Sequence, residues 1–257
     1  MLIDAHCHLD RYKENLAYAL EQIEQHQIFT ISNSMDLPSY KQNVRIAATS
    51  DLVLPVFGIH PWNASEYVGC LDDLNGPISE SPMIGEIGLD YYFVSETSRY
   101  DDQRKVFEHF LGAASRQRKI VIVHSKGAES EALQLLKKCN TERAVIHWYS
   151  GPWHVLEAMV ERGFYFTIGV EVLFSQHIQD IARSLPAELM LTETDNPGGN
   201  KSLTGNMGTP SLVKDVIGKL AEIRGTSDHV MITTVQNNLI RLGDNDPWLA
   251  RVQASTG

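Results

Sequence analysis

The sequence predicts an α/β protein of the (β/α)8 TIM-barrel type, and three observations carry that expectation. Short β-rich apolar runs alternate with amphipathic stretches along the whole chain. There are eight such runs. The length of 257 residues matches one complete barrel of about 250. Strands alternating with helical patterns make βαβ units and a parallel sheet.

The runs cover residues 2–6, 28–32, 53–58, 83–88, 119–124, 143–147, 164–169 and 188–194. Helical periodicity separates them. In 100–116, for example, Val106, Phe110, Leu111 and Ala114 repeat at helical spacing. Further helices are expected over 131–139, 155–162 and 211–224. No Pro/Ser-rich linker or composition break divides the chain, so residues 1–257 read as a single domain. The Gly- and Asn-rich segment 196–210 reads as a long loop after the eighth strand. Residues 244–257 read as a short, loosely attached tail.

The net charge of −10, from 22 basic and 32 acidic residues, argues against a broad electrostatic grip on nucleic acid. It leaves room for an anionic substrate held at one cationic point, such as bound divalent ions. Cys7, Cys70 and Cys139 are too few and scattered for a disulfide framework, which points to a reducing compartment. Cys7 reads as a small buried filler. With no secretory signal and no membrane-length apolar run, the expected location is cytoplasmic.

The chemistry gathers at the C-terminal ends of the strands, where barrel enzymes place their active sites. In Ile3-Asp4-Ala5-His6-Cys7-His8 the period of two puts Asp4, His6 and His8 on one face. Other strands end in Glu86, His124, His147 and Asp195. Four imidazoles and two carboxylates suit divalent ions such as zinc, manganese or magnesium, and can hold two if one carboxylate bridges. Two metals can activate water and stabilise the attacking and leaving oxygens of a displacement. A lone strand-end histidine is more often structural. His26, His109, His177 and His229, in helical or loop contexts, belong to that class.

The chain resembles the TatD family of metal-dependent deoxyribonucleases, within the amidohydrolase-like barrels. The matching stretches are Asp4-Ala5-His6-Cys7-His8-Leu9-Asp10, Gly58-Ile59-His60-Pro61, Gly85-Glu86-Ile87-Gly88-Leu89-Asp90-Tyr91-Tyr92, Val121-Ile122-Val123-His124-Ser125, His147-Trp148-Tyr149-Ser150-Gly151 and Glu193-Thr194-Asp195-Asn196-Pro197. Gln103 and Phe107 fit the helix after the fourth strand, and Thr233, Thr234 and Asn237 or Asn238 the final helix.

The resemblance implies that His6, His8 and Asp195 bind one ion and that His124 and His147 bind the second. Glu86 would bridge the two, and Asp195 would take the proton of the attacking water. His60 would hydrogen-bond a phosphate oxygen, or else pack on Trp62. Asp90 would orient a neighbouring ligand. Glu193 would do likewise or fill the barrel. Trp148 and Tyr149, with Trp62 and Trp153, would stack on bases or wall the pocket. One departure stands out. Relatives carry a basic, arginine-containing stretch after the last aspartate, whereas residues 198–208 offer the single Lys201.

Three functions follow from this reading. The first is a deoxyribonuclease, trimming single-stranded DNA 3′ to 5′ by a two-metal-activated water. The second uses the same site on a small phosphoester, an amide or an aminoacyl-tRNA ester, which the acidic surface and missing arginines favour. The third is a metal-stabilised, non-catalytic subunit of a larger assembly.

Overall fold

A computed structural model describes residues 1–244 and 246–250. All eight expected strands form: β1 (Leu2–Cys7), β2 (Ile28–Asn33), β3 (Val53–Val56), β4 (Ile84–Gly88), β5 (Val121–His124), β6 (Ala144–Ile146), β7 (Tyr165–Ile168) and β8 (Met190–Thr192). Helical segments separate them throughout. The runs 53–58 and 188–194 yield shorter strands than their apolar lengths suggest, because hydrogen-bonded pairing covers only part of each.

The chain packs as two compact units. The first comprises Met1–Ser32, Gln42–Leu54 and the chain from Phe166 onward. Here β1 lies parallel to β2, with Leu2 opposite Ile28 and Asp4 opposite Thr30. Strand β7 lies parallel to β8, with Phe166 opposite Met190. β8 also adjoins β1: Thr192 Oγ1 donates to the Ile3 carbonyl at 2.5 Å. Just beyond it, the Asp195 N–H donates to the His6 carbonyl at 2.8 Å. Leu9, Tyr12, Ala19, Ile23, Ile46 and Val53 form an apolar cluster that includes Cys7. The Cys7 thiol donates to the Ile31 carbonyl at 3.7 Å, and burial pushes its pKa up.

The second unit comprises Asn33–Lys41 and Pro55–Tyr165. Phe57 bridges in parallel to Ile84, β4 pairs with β5, and β5 with β6. The helix Tyr100–Gln117 buries Val106, Phe107, Phe110 and Leu111 along its apolar stripe. It stops at Arg118, whose left-handed backbone ends the turn. Parallel pairing of chain-adjacent strands, with β1 beside β8, is the pattern of the (β/α)8 class.

Two expectations need correction. The segment 196–210 is not all loop, because Gly198–Thr204 is a helical segment. Its residues are weak helix formers, but Asn196 Oδ1 accepts the Asn200 N–H at 3.1 Å and Gly205 closes the far end in a left-handed conformation. The tail is also not loose where it is described. Trp248 is 7% and Leu249 2% exposed, and Trp248 stacks on Phe29 at 6.3 Å. Residues 245 and 251–257 of that tail lie outside the described residues.

Two glycines set the path of β4. A Cβ on Gly58 would stand 2.4 Å from the Glu86 carbonyl oxygen, and one on Gly88, where φ is +146°, 1.9 Å from the His124 carbonyl oxygen. Only glycine allows such backbone approach. Gly58→Ala is therefore expected to shift β4 and cost about 1–3 kcal/mol, the usual cost of forcing bulk into a filled space. Urea unfolding of the two proteins checks this; an unchanged midpoint contradicts it.

Candidate metal centre

In the first unit, His6 and His8 project from the same side of β1. The Asp195 Oδ1 atom lies 3.2 Å from His8 Nε2 and 3.7 Å from His6 Nε2. The histidine side chains are 0% and 6% exposed, whereas that of Asp195 is 22% exposed, making it the member that solvent reaches. Asp195 has φ of 51°, a left-handed conformation that aspartate adopts more readily than most residues. Its N–H bond to His6 and the His8 N–H bond to the Asn196 carbonyl, at 2.9 Å, hold the turn against β1.

Asp4 reinforces the same turn. Its carboxylate accepts the Thr194 N–H at 2.9 Å and the Thr194 hydroxyl at 2.6 Å. Burial outweighs these bonds and raises the Asp4 carboxyl to about 7. The strand pattern places Asp4 beside the histidines; its bonds to Thr194 join residues far apart in sequence, and no local pattern announces them.

In the second unit, the buried Glu86 Oε1 is a hub. His124 Nδ1 lies 2.9 Å away, His60 Nε2 3.4 Å and His147 Nε2 3.8 Å. Glu86 lies where the β4–β5 register shifts, between Ile84 and Ile87, and such irregularities re-aim side chains. His124 Nε2 meets Asp90 Oδ2 at 3.0 Å. A ligand histidine commonly donates its second ring N–H to a carboxylate, which fixes the ring and its tautomer. Asp90 is itself clamped: its N–H donates to Gln103 Oε1 at 2.8 Å, and Gln103 Nε2 donates back to its carbonyl at 3.1 Å. Burial favours the neutral acid, but the His124 bond and charge, the Phe93 amide and the Trp62 indole win and hold Asp90 down to about 2.

Proximity alone would make His60 a ligand as well. Its Nδ1, however, accepts the Trp62 N–H at 3.2 Å. A neutral imidazole that accepts at one nitrogen carries its proton on the other. His60 Nε2 therefore faces the Glu86 carboxylate as a donor.

The donor sets fit divalent ions. Ligands about 2.0–2.1 Å from a zinc ion lie roughly 3.3 Å apart at tetrahedral angles. The contacts of Asp195 with His6 and His8 bracket that spacing, and the three are mutually close; around Glu86 in the second unit the mutually close partners are His60 and His124, with His147 Nε2 at 3.8 Å from the carboxylate. Burial would lower the pKa of His124, but its bonds to Asp90 and Glu86 raise it to about 9. A ligand imidazole must be neutral. Below about pH 9 a proton thus competes with the ion, and affinity at this cluster is expected to climb with pH by up to roughly tenfold per unit. It should flatten above that value. Calorimetric titration of chelator-stripped protein with Mn²⁺ at several pH values checks this; a flat profile contradicts it.

The aromatic residues divide. The Trp148 ring meets His147 edge to face at 6.1 Å, with φ of 43°. Tyr149, expected to stack on a base or wall the pocket, is 3% exposed and its hydroxyl donates to the Pro152 carbonyl at 2.6 Å. A ring so covered has no free face for a base, so Tyr149 supports the turn that follows β6. Glu193 is fully buried, with its side chain packed close to Gly169.

Known proteins share this organisation. The profile of the TatD related DNase family matches residues 3–243. The metal-dependent hydrolase YcfH of Escherichia coli K12 is 27% identical over 254 residues, covering 94% of this chain and 95% of that protein. Human deoxyribonuclease TATDN3 is 25% identical over 260 residues, covering 94% of each. The crystal structure of YjjV, a TatD homologue from Escherichia coli K12, superposes with a TM-score of 0.84 at 22% identity, covering 94% of this chain and 97% of that one. With the family profile matched across nearly its whole length, the chain belongs to the TatD family and is a metal-dependent hydrolase.

Proposed function

We propose that the protein is a deoxyribonuclease that trims single-stranded DNA from the 3′ end. Two divalent ions (zinc, magnesium or manganese) would be held by His6, His8 and Asp195 and by Glu86, His124 and His147. The observation that carries this reading is the spacing within each cluster: carboxylate oxygens faced by histidine nitrogens at ligand distances, at the C-terminal ends of strands. The TatD related DNase profile and the deoxyribonuclease TATDN3 support the substrate class.

When bound, the ions supply an acidified water and positive charge for phosphoryl oxygens. Asp195, the solvent-reached carboxylate, accepts the proton of the attacking water. Once an ion engages the Glu86 carboxylate, the His60 Nε2 N–H that faces it would turn to a phosphate oxygen. Asp90 keeps the His124 ring oriented through Nε2.

The test is digestion of end-labelled single-stranded DNA by stripped protein with Mg²⁺, Mn²⁺ or Zn²⁺ restored. Metal-dependent shortening from the 3′ end is expected. No shortening by protein shown to hold metal would sink the nuclease reading.

A second reading rests on the net charge of −10 and on Lys201 as the single basic residue of 198–208. It assigns the same centre to a small phosphoester, an amide or an aminoacyl-tRNA ester. Release of product from such a substrate by protein inert toward DNA would favour it.

A further inference from the structure

The second unit holds an aromatic groove that the hydrolytic chemistry does not use. It is a cavity of about 320 Å³ lined by Trp62, Phe93, Val94, Ser95, Glu96 and Arg99. That volume lies within the range of small-ligand sites, about 300–1,000 Å³. Phe93 is 62% exposed, Tyr92 beside it 67%, and Trp62 37%. The rings meet edge to face: Trp62 and Phe93 at 5.9 Å, Tyr92 and Phe93 at 4.8 Å.

A single carboxylate fastens both walls. Asp90 Oδ2 accepts the Trp62 indole N–H at 2.7 Å. Asp90 Oδ1 accepts the Tyr92 N–H at 2.9 Å and the Phe93 N–H at 2.7 Å. The same Asp90 holds His124. The groove is thus built onto the support of the metal centre and positioned with it. One cation, Arg99, lines it beside Glu96, and its Nη2 donates to the Trp62 carbonyl at 2.5 Å; outside the lining, Lys126 Nζ lies 5.6 Å from the centre of the Tyr92 ring and donates to Ser150 Oγ at 2.7 Å. A guanidinium has five N–H donors, so Arg99 retains some for a phosphate.

Exposed aromatic faces beside cations are the chemistry of single-stranded nucleic-acid binding, in which bases stack and the backbone meets positive charge. We infer that this groove is a stacking subsite for a nucleobase of the strand whose phosphodiester the centre cuts. The inference rests on the nuclease reading for its substrate and adds the residues that would grip it.

The test separates binding from cutting. Metal-loaded protein is titrated with single-stranded oligothymidylate carrying phosphorothioate linkages and labelled at its 5′ end. A second titration uses the same strand with abasic residues at its 3′ end. The wild type is expected to bind the base-containing strand about 5- to 150-fold more tightly, the span of one stacked base. Phe93→Ala should erase that preference, Tyr92→Ala should reduce it, and Phe93→Tyr should keep it. Circular dichroism confirms the folds. No preference for bases, an unaltered preference in Phe93→Ala, or no binding of either strand overturns the inference. If the preference tracks Phe93 but an ordinary strand is not cut, the subsite stands and the nuclease reading falls.

Discussion

Asp195→Asn is expected to keep the fold and lose turnover by about 10²- to 10⁴-fold, the usual contribution of a positioned general base. Asparagine also adopts the left-handed backbone found at φ of 51°, so the turn survives. Its N–H bond to the His6 carbonyl involves no side chain and survives as well. What disappears is the charged oxygen 3.2 Å from His8 Nε2 and 3.7 Å from His6 Nε2. An amide neither accepts the water's proton nor neutralises an ion as a carboxylate does. The check is kcat on single-stranded DNA and on a simple phosphodiester, at saturating Mn²⁺, beside thermal unfolding. Full turnover in a protein of normal stability would falsify the role of Asp195.

Glu86→Ala should act through metal content. Three histidine nitrogens face the one Glu86 oxygen, the nearest at 2.9 Å. Removing it leaves these nitrogens without their shared anion, and any ion there uncompensated in a buried site. Elemental analysis after dialysis against Mn²⁺ should show roughly one ion fewer per chain than wild type, with activity lost in parallel. Glu86→Gln keeps the shape and lacks the charge, so it should fall on the same side. Unchanged metal content in both variants would remove Glu86 from the ligand set.

The strands were legible because each is a short apolar run set off from the next by a stretch of helical periodicity. The joint stance of His6 and His8 was legible from the period of two. The helical segment Gly198–Thr204 was not, because its glycines and asparagine speak against helix while the bonds that hold it come from Asn196 and Gly205. The order around Trp248 escaped because it depends on Phe29, distant in sequence. Within the site, strand parity placed Asp90 near Glu86 but said nothing of its bonds to Trp62, Tyr92 and Phe93. The proton on His60 Nε2 follows from the way its ring caps the Trp62 N–H at the start of the short turn Pro61–Asn63. Parity also says nothing of how deeply Tyr149 is covered.

Cys7 stands between His6 and His8 in sequence, yet its sulfur turns to the Ile31 carbonyl inside an apolar cluster. The thiolate is the form that captures soft ions and reacts with peroxides. Burial keeps this sulfur protonated. The consequence is chemical insulation: copper(I) arriving at the two imidazoles meets no sulfur to complete a soft site, and an oxidant meets no reactive thiolate beside them. One strand thereby carries a sulfur between two histidines and keeps it turned away from both imidazoles.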